Sequence, residues 1–187
     1  MTVTTDMAPA QVHAGEQIDA LDLEPITYKL MHPEPGETAM TLAEADQRVA
    51  AYRRFLKLCV WYPEQSIVPS KAIDEVWHTH ILDTAKYAAD SEAVFGSFMH
   101  HFPYFGLRGT DDEATWQAAY ARTRELFRLH FGTELPAGRA ARGCHVGGST
   151  CKDGNSICNF EAECEKSARS TLSQARPRPD RAAPVCT

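Results

Sequence analysis

The sequence predicts an all-α protein: a small helical bundle of four or five helices followed by a cysteine-rich, mostly irregular C-terminal tail. Three observations carry that expectation. Apolar residues recur at three- and four-residue spacing in two long segments, no apolar–polar alternation long enough for a sheet occurs, and five of the six cysteines fall at or beyond Cys144.

Taken in order, residues 1–16 are small and polar without periodicity and are expected to be disordered. A short helix is expected between Ile18 and Met31, with Pro25 compatible only with a first turn. After a loop at His32 to Gly36, Thr41 and Glu44 form a capping-box pair in which each side chain satisfies an orphan backbone donor of a new helix. Ala45, Val49, Tyr52, Leu56 and Cys59 then keep one face inward until Tyr62 and Pro63, and Cys59 reads as a small core residue. Pro69 and Ser70 open the next helix, which the absence of glycine and proline carries from Ala72 to Ala89. Phe95 and Gly96 end that pattern, and His101 to Gly106 is an aromatic loop. Thr110 and Glu113 repeat the capping signature, and Trp116, Ala119, Tyr120, Thr123, Leu126, Phe127 and His130 form the last periodic face before Gly132 stops it.

Composition narrows the function classes. The 187 residues are 43% hydrophobic and 24% charged, which suits one globular core, at residues 17–135, plus a linker and tail at 136–187. A formal net charge of −6 disfavours nucleic acid as a generic partner, because phosphate contacts need concentrated basic surface. No apolar run is long enough for a membrane span and the first residues lack a secretory pattern, so a cytoplasmic location is expected. A protein or peptide partner stays open.

The chemistry-bearing stretch runs from Asp74 to His101. On a helix Asp74 and His78 lie one turn apart, sharing a broad face with Trp77, Ile81, Leu82 and Ala85 that is expected to face the core. His80, Asp83 and Tyr87 fall together on a flanking face. A second pair, His100 and His101, follows among Phe98, Phe102, Tyr104 and Phe105, which should drive it back against the domain. Imidazoles with a carboxylate suit Zn, Fe or Mn, so Asp74, His78, His80, His100 and His101 are candidate ligands. Asp74 either orients His78 from behind, as second groups do for metal-bound imidazoles, or is itself a ligand. A buried Asp–His pair that merely hydrogen-bonds is the structural alternative.

The segments Asp74 to His80, Thr84 to Tyr87 and Phe95 to Pro103 resemble the signature of the glycine-rich domain-containing protein-like family, over roughly residues 40 to 131. That family includes plant members with glycine-rich extensions and shorter bacterial members, to which this chain is similar. The resemblance implies no settled enzymatic activity; the plant proteins are associated with stress and developmental responses and with a suggested RNA-binding role. This chain has no long glycine-rich region and no RNA-recognition motif to match that role.

In the tail, Cys144 to Thr150 aligns with Cys151 to Ile157, with glycine and serine at matching offsets. Cys144, His145, Cys151, Cys158 and Cys164 could supply thiolate-rich ligation for Zn or an iron–sulfur cluster, although the spacing lacks a tight two-residue knuckle. Disulfide or redox use is the main competitor, and a disordered extension with incidental thiols is the plain alternative. Two functional classes therefore stand side by side: a metal-dependent enzyme or metal-binding protein, and a non-catalytic interaction or scaffold domain with a metal-binding or redox tail.

Overall fold

The computed structural model describes residues 8–136, 138, 140, 141 and 175–181. Among them are six helices: α1 (Pro9–Ala20), α2 (Glu24–Met31), α3 (Leu42–Trp61), α4 (Lys71–Leu82), α5 (Thr84–Phe95) and α6 (Thr110–Phe131). The all-α expectation holds, with six helices where four or five were expected. An isolated antiparallel bridge between Ser70 and Ala140 is the only pairing of extended backbone among the described residues. None of the described helices is long and apolar enough to cross a membrane.

The long helix α3 is the hub, packing against α1, α2, α4 and α6. Its periodic face behaves as its spacing requires: Ala45, Val49, Tyr52, Leu56 and Cys59 are all buried, and burial pushes the Cys59 thiol up. The capping box forms as well, with Glu44 N–H donating to Thr41 Oγ1 at 3.3 Å and Thr41 N–H donating to Glu44 Oε2 at 2.8 Å. At the second candidate box Gly109, not Thr110, is the cap residue of α6, and no side chain caps it. Trp77, Tyr52, Phe55 and Phe127 are the largest fully buried side chains.

The two extra helices have identifiable causes. The segment assigned to a disordered start carries α1, whose small residues Ala14 and Gly15 give little periodic signal. Trp61 at the far end of α3 packs over Gly15, where an ideal Cβ would lie only 3.5 Å from the indole. Trp61 Nε1 also donates to the Gln11 carbonyl at 2.9 Å, and Gln11 Nε2 donates to the Trp61 carbonyl at 3.0 Å. Arg53 on α3 satisfies carbonyls at the end of α1, donating to Ile18 O and, at 2.7 Å, to Leu21 O. Pro25 then occupies the first turn of α2, the one place its ring is tolerated.

The expected helix from Ala72 to Ala89 is two helices. Asp83, at φ −84° and ψ 69°, ends α4 and caps α5, its side chain accepting from Lys86 N–H at 3.4 Å. Leu82, the last residue of α4, lies about 200° around the helix from buried His80 and is 78% exposed rather than on the core face.

Beyond α6 the packed body continues past Leu135. Trp116 Nε1 donates to the Ala141 carbonyl at 3.0 Å, and Ala141 N–H donates to the Pro69 carbonyl at 3.0 Å. Trp116, Val68 and Phe105 form a small second core, and Gly106 passes directly over the Trp116 ring. Gly106 has φ +83°, and a Cβ there would lie 2.9 Å from Trp116 Cγ; Gly96 has φ +67° with open space around it. Gly106→Ala is therefore expected to cost about 2–4 kcal/mol, from left-handed strain plus overpacking. Gly96→Ala should cost about 1 kcal/mol, from strain alone. Equal losses in urea melts of the two variants would refute the close packing at Gly106.

Candidate metal centre

Asp74 and His78 occupy successive turns of α4, and His101 arrives from the segment after α5. Three distances define the cluster. The His78 and His101 Nε2 atoms are 3.0 Å apart, and Asp74 Oδ1 lies 3.5 Å from the first and 3.6 Å from the second. A point equidistant from three such corners lies about 2 Å from each, which is the length of a Zn–N or Zn–O bond. The three side chains thus form a group able to coordinate a metal ion.

Asp74 approaches the same nitrogen of His78 that faces His101. It does not brace the ring from behind; carboxylate and imidazole converge on one point. Asp74 and His101 are each 14% exposed at the side chain and His78 is 52% exposed, so two corners lie against the protein and the third opens to solvent. The expectation that Asp74 and His78 point into the core is corrected accordingly.

The core face of α4 is Ile73, Val76, Trp77 and His80, all buried. Their three-one-three spacing is the ordinary signature of an inward stripe and was readable. What masked it was the assumption of one uninterrupted helix, which averaged the face over residues that belong to α5. His80 lies not on a flanking face but inside the protein, 2% exposed, with Nδ1 3.1 Å from the Tyr52 hydroxyl and Nε2 3.1 Å from Asp90 Oδ2. Lys86 Nζ donates to the same Asp90 oxygen at 2.8 Å. Burial works to raise the Asp90 carboxyl, but His80 and Lys86 outweigh it and hold the group below the usual carboxylate range. Asp83, grouped with His80 by spacing, instead pairs with Arg176.

His101 is held by a relay that spacing alone does not reveal. Trp77 Nε1 donates to the Tyr87 hydroxyl at 2.9 Å, and that hydroxyl donates to the Met99 carbonyl at 2.5 Å. Burial pushes Tyr87 up to about 12, so the hydroxyl keeps the proton it donates. The Trp77 and His101 rings meet edge to face with centroids 4.7 Å apart. Of the adjacent pair, His101 joins the cluster, whereas His100 is exposed and packs against Phe98 with centroids 5.0 Å apart. Cys144, His145, Cys151, Cys158 and Cys164 lie outside the described residues.

Removing His80 would strand the buried Tyr52 hydroxyl, leave Asp90 with Lys86 alone and open a cavity, so His80→Ala is expected to cost about 2–4 kcal/mol. His78→Ala should stay within about 0.5 kcal/mol. Equal denaturation midpoints for the two would overturn the division into a core and a site histidine. The Asp90 contribution has the sign of a depressed carboxylate. It is fully present above the ordinary value of 3.8 and is lost as pH falls through the lowered one. Acid titration of stability should therefore show a component below about pH 4 that Asp90→Asn removes; an unchanged acid limb would refute it.

No curated protein and no solved structure matches the chain. The UCP032817-like family model matches residues 17–124, more than half of the length and a range that includes Asp74, His78 and His101. The chain belongs to the UCP032817-like family.

Proposed function

We propose that this protein binds a divalent transition metal through Asp74, His78 and His101, and that the metal is the working group of a metal-dependent enzyme. The observation that carries the reading is the triangle of ligand atoms with sides of 3.0, 3.5 and 3.6 Å, closed by a residue from a separate segment. Two imidazoles and one carboxylate without a thiolate favour Zn, Fe(II) or Mn over softer or all-oxygen chemistry. Three protein ligands leave coordination positions free, and the exposed side at His78 puts them toward solvent. A metal held this way would supply Lewis acidity and a water acidified to a pKa of about 7.

The residues around the cluster have separable tasks. Asp74 brings the negative charge that offsets the ion, from the first turn of α4. Trp77 walls the inner side of His101, and Tyr87 fixes the backbone that presents it. The likeness of the segments Asp74 to His80 and Phe95 to Pro103 to the glycine-rich domain-containing protein-like family is part of the same proposal, since those segments contain all three corners.

Full-length protein stripped with chelator and titrated with Co(II) should bind an ion whose visible bands are those of nitrogen and oxygen ligation, without thiolate charge-transfer absorption. His78→Ala and His101→Ala should each weaken that binding by more than about 100-fold, while His100→Ala leaves it unchanged. An ion still held by both variants, or none bound by the parent, would overturn the assignment. Tyr87→Phe removes the donor to Met99 without touching a ligand, and is expected to weaken binding by about 10-fold or more with helix content preserved. Unaltered affinity would show that the relay does not position His101.

A further inference from the structure

Residues 175–181 return to the helical body after 33 intervening residues and carry three arginines in six positions. Each guanidinium meets a carboxylate with two nitrogens. Arg176 grips Asp83 through Nε and Nη2, the latter 2.8 Å from Oδ1. Arg178 grips Asp22 through Nη1, at 2.9 Å from Oδ1, and Nη2. Arg181 holds Asp46 at 2.9 and 2.8 Å and places Nε 2.9 Å from Glu24 Oε2. Pro177 and Pro179 alternate with the arginines, and Pro179 is buried. Alternating prolines keep such a segment extended at little entropic cost, the state in which proline-rich ligands are recognised.

The four carboxylates come from distant places: the α1–α2 connection, the start of α2, α3 and the α4–α5 junction. That they match three successive forks marks a surface complementary to one backbone conformation, which scattered surface charge would not produce. The pairs hold Asp22, Asp46 and Asp83 below the usual carboxylate range, through hydrogen bonds from Arg178, Arg181 and Arg176 respectively. Two of the three are open to water, Arg178 and Asp22 at 55% and 46% exposed and Arg181 and Asp46 at 43% and 40%, whereas Arg176 and Asp83, at 23% and 28%, are partly buried. Exposed pairs are individually weak and screened by salt, so the hold on the segment depends on multiplicity and on its covalent tether. Beside it runs a groove of about 340 Å³ lined by Asp22, Lys86, Asp90, Arg176 and Arg178, room for a longer ligand.

We propose that the acidic strip of Asp22, Glu24, Asp46 and Asp83 is a recognition site for extended peptides with arginines spaced by prolines. Residues 175–181 are its resident ligand, and an arginine–proline segment of another polypeptide binds by displacing them. The two-pronged geometry selects arginine over lysine, whose ammonium cannot bridge both carboxylate oxygens in a plane. This site is independent of the metal reading.

The test uses the full-length chain and a labelled heptapeptide of the sequence of residues 175–181, with binding read by anisotropy at low salt. In the variant R176A/R178A/R181A the strip is vacated, and the peptide should bind at least tenfold more tightly than to the parent, whose own segment competes. Adding Asp22→Asn, Asp46→Asn and Asp83→Asn should abolish binding; asparagine at position 83 can still cap α5, and circular dichroism checks that the helices remain. A peptide with lysine at all three arginine positions should bind at least tenfold more weakly. No binding to the vacated variant, equal binding to parent and variant, or equal binding of the lysine peptide would each overturn the proposal. So would a low-salt dimer of the parent that the vacated variant lacks, because it would place the segment on a second copy of the chain.

Discussion

The hydrogen-bond relay from Trp77 through Tyr87 to Met99 ties three parts of the molecule that no continuous secondary structure connects. Trp77 belongs to α4, Tyr87 to α5, and Met99 to the segment that delivers His101. Each group is buried, so an alternative placement of that segment would leave a polar hydrogen without an acceptor in an apolar setting. His101 is therefore set opposite His78 by the core, not by the helix that carries the other two corners. A site assembled in this way can keep an open side, because its geometry does not depend on closure around a ligand.

Asp83 serves the structure in a second sense. It stops α4, caps α5 and takes the guanidinium of Arg176, so one carboxylate connects the local chain path to the docking of a segment more than ninety residues later. The turn of direction at Asp83 is also what brings Asp90 of α5 against His80 of α4. Without the break, the two residues ten apart would sit on one helix at a separation of about 15 Å, too far to touch.

Elements whose information is local were legible in the sequence. The α3 face could be read from its spacing, its start from Thr41 and Glu44, and the ends of α5 and α6 from Gly96 and Gly132, both left-handed. Elements whose information is tertiary were not. α1 is held by Trp61 and by Arg53 from another helix, and little in its own residues announces it. The break at Asp83 was half visible, since aspartate before a helical segment is a cap signal. A run free of glycine and proline hid it. Asp74 and His78 followed from one-turn spacing, but the choice between His100 and His101 is made by the Tyr87 bond to Met99. The arginine segment read only as part of an irregular tail because its carboxylate partners are scattered through the first half of the chain.

The His-x-His pattern at residues 78 and 80 invites a reading as two ligands, and helical geometry argues against it. Two residues along a helix differ by about 200°, so their rings leave on nearly opposite sides. One can reach solvent only if the other faces the core, and here the core claims His80 because it lies three residues past Trp77 and seven past Ile73 on the buried stripe. An imidazole in that position must satisfy two ring nitrogens away from water, which Tyr52 and Asp90 do at 3.1 Å each. With its nitrogens so occupied it has no lone pair directed elsewhere, and the third corner of the cluster must come from another part of the chain. The same constraint that makes His80 structural thus requires a histidine such as His101 to complete the site.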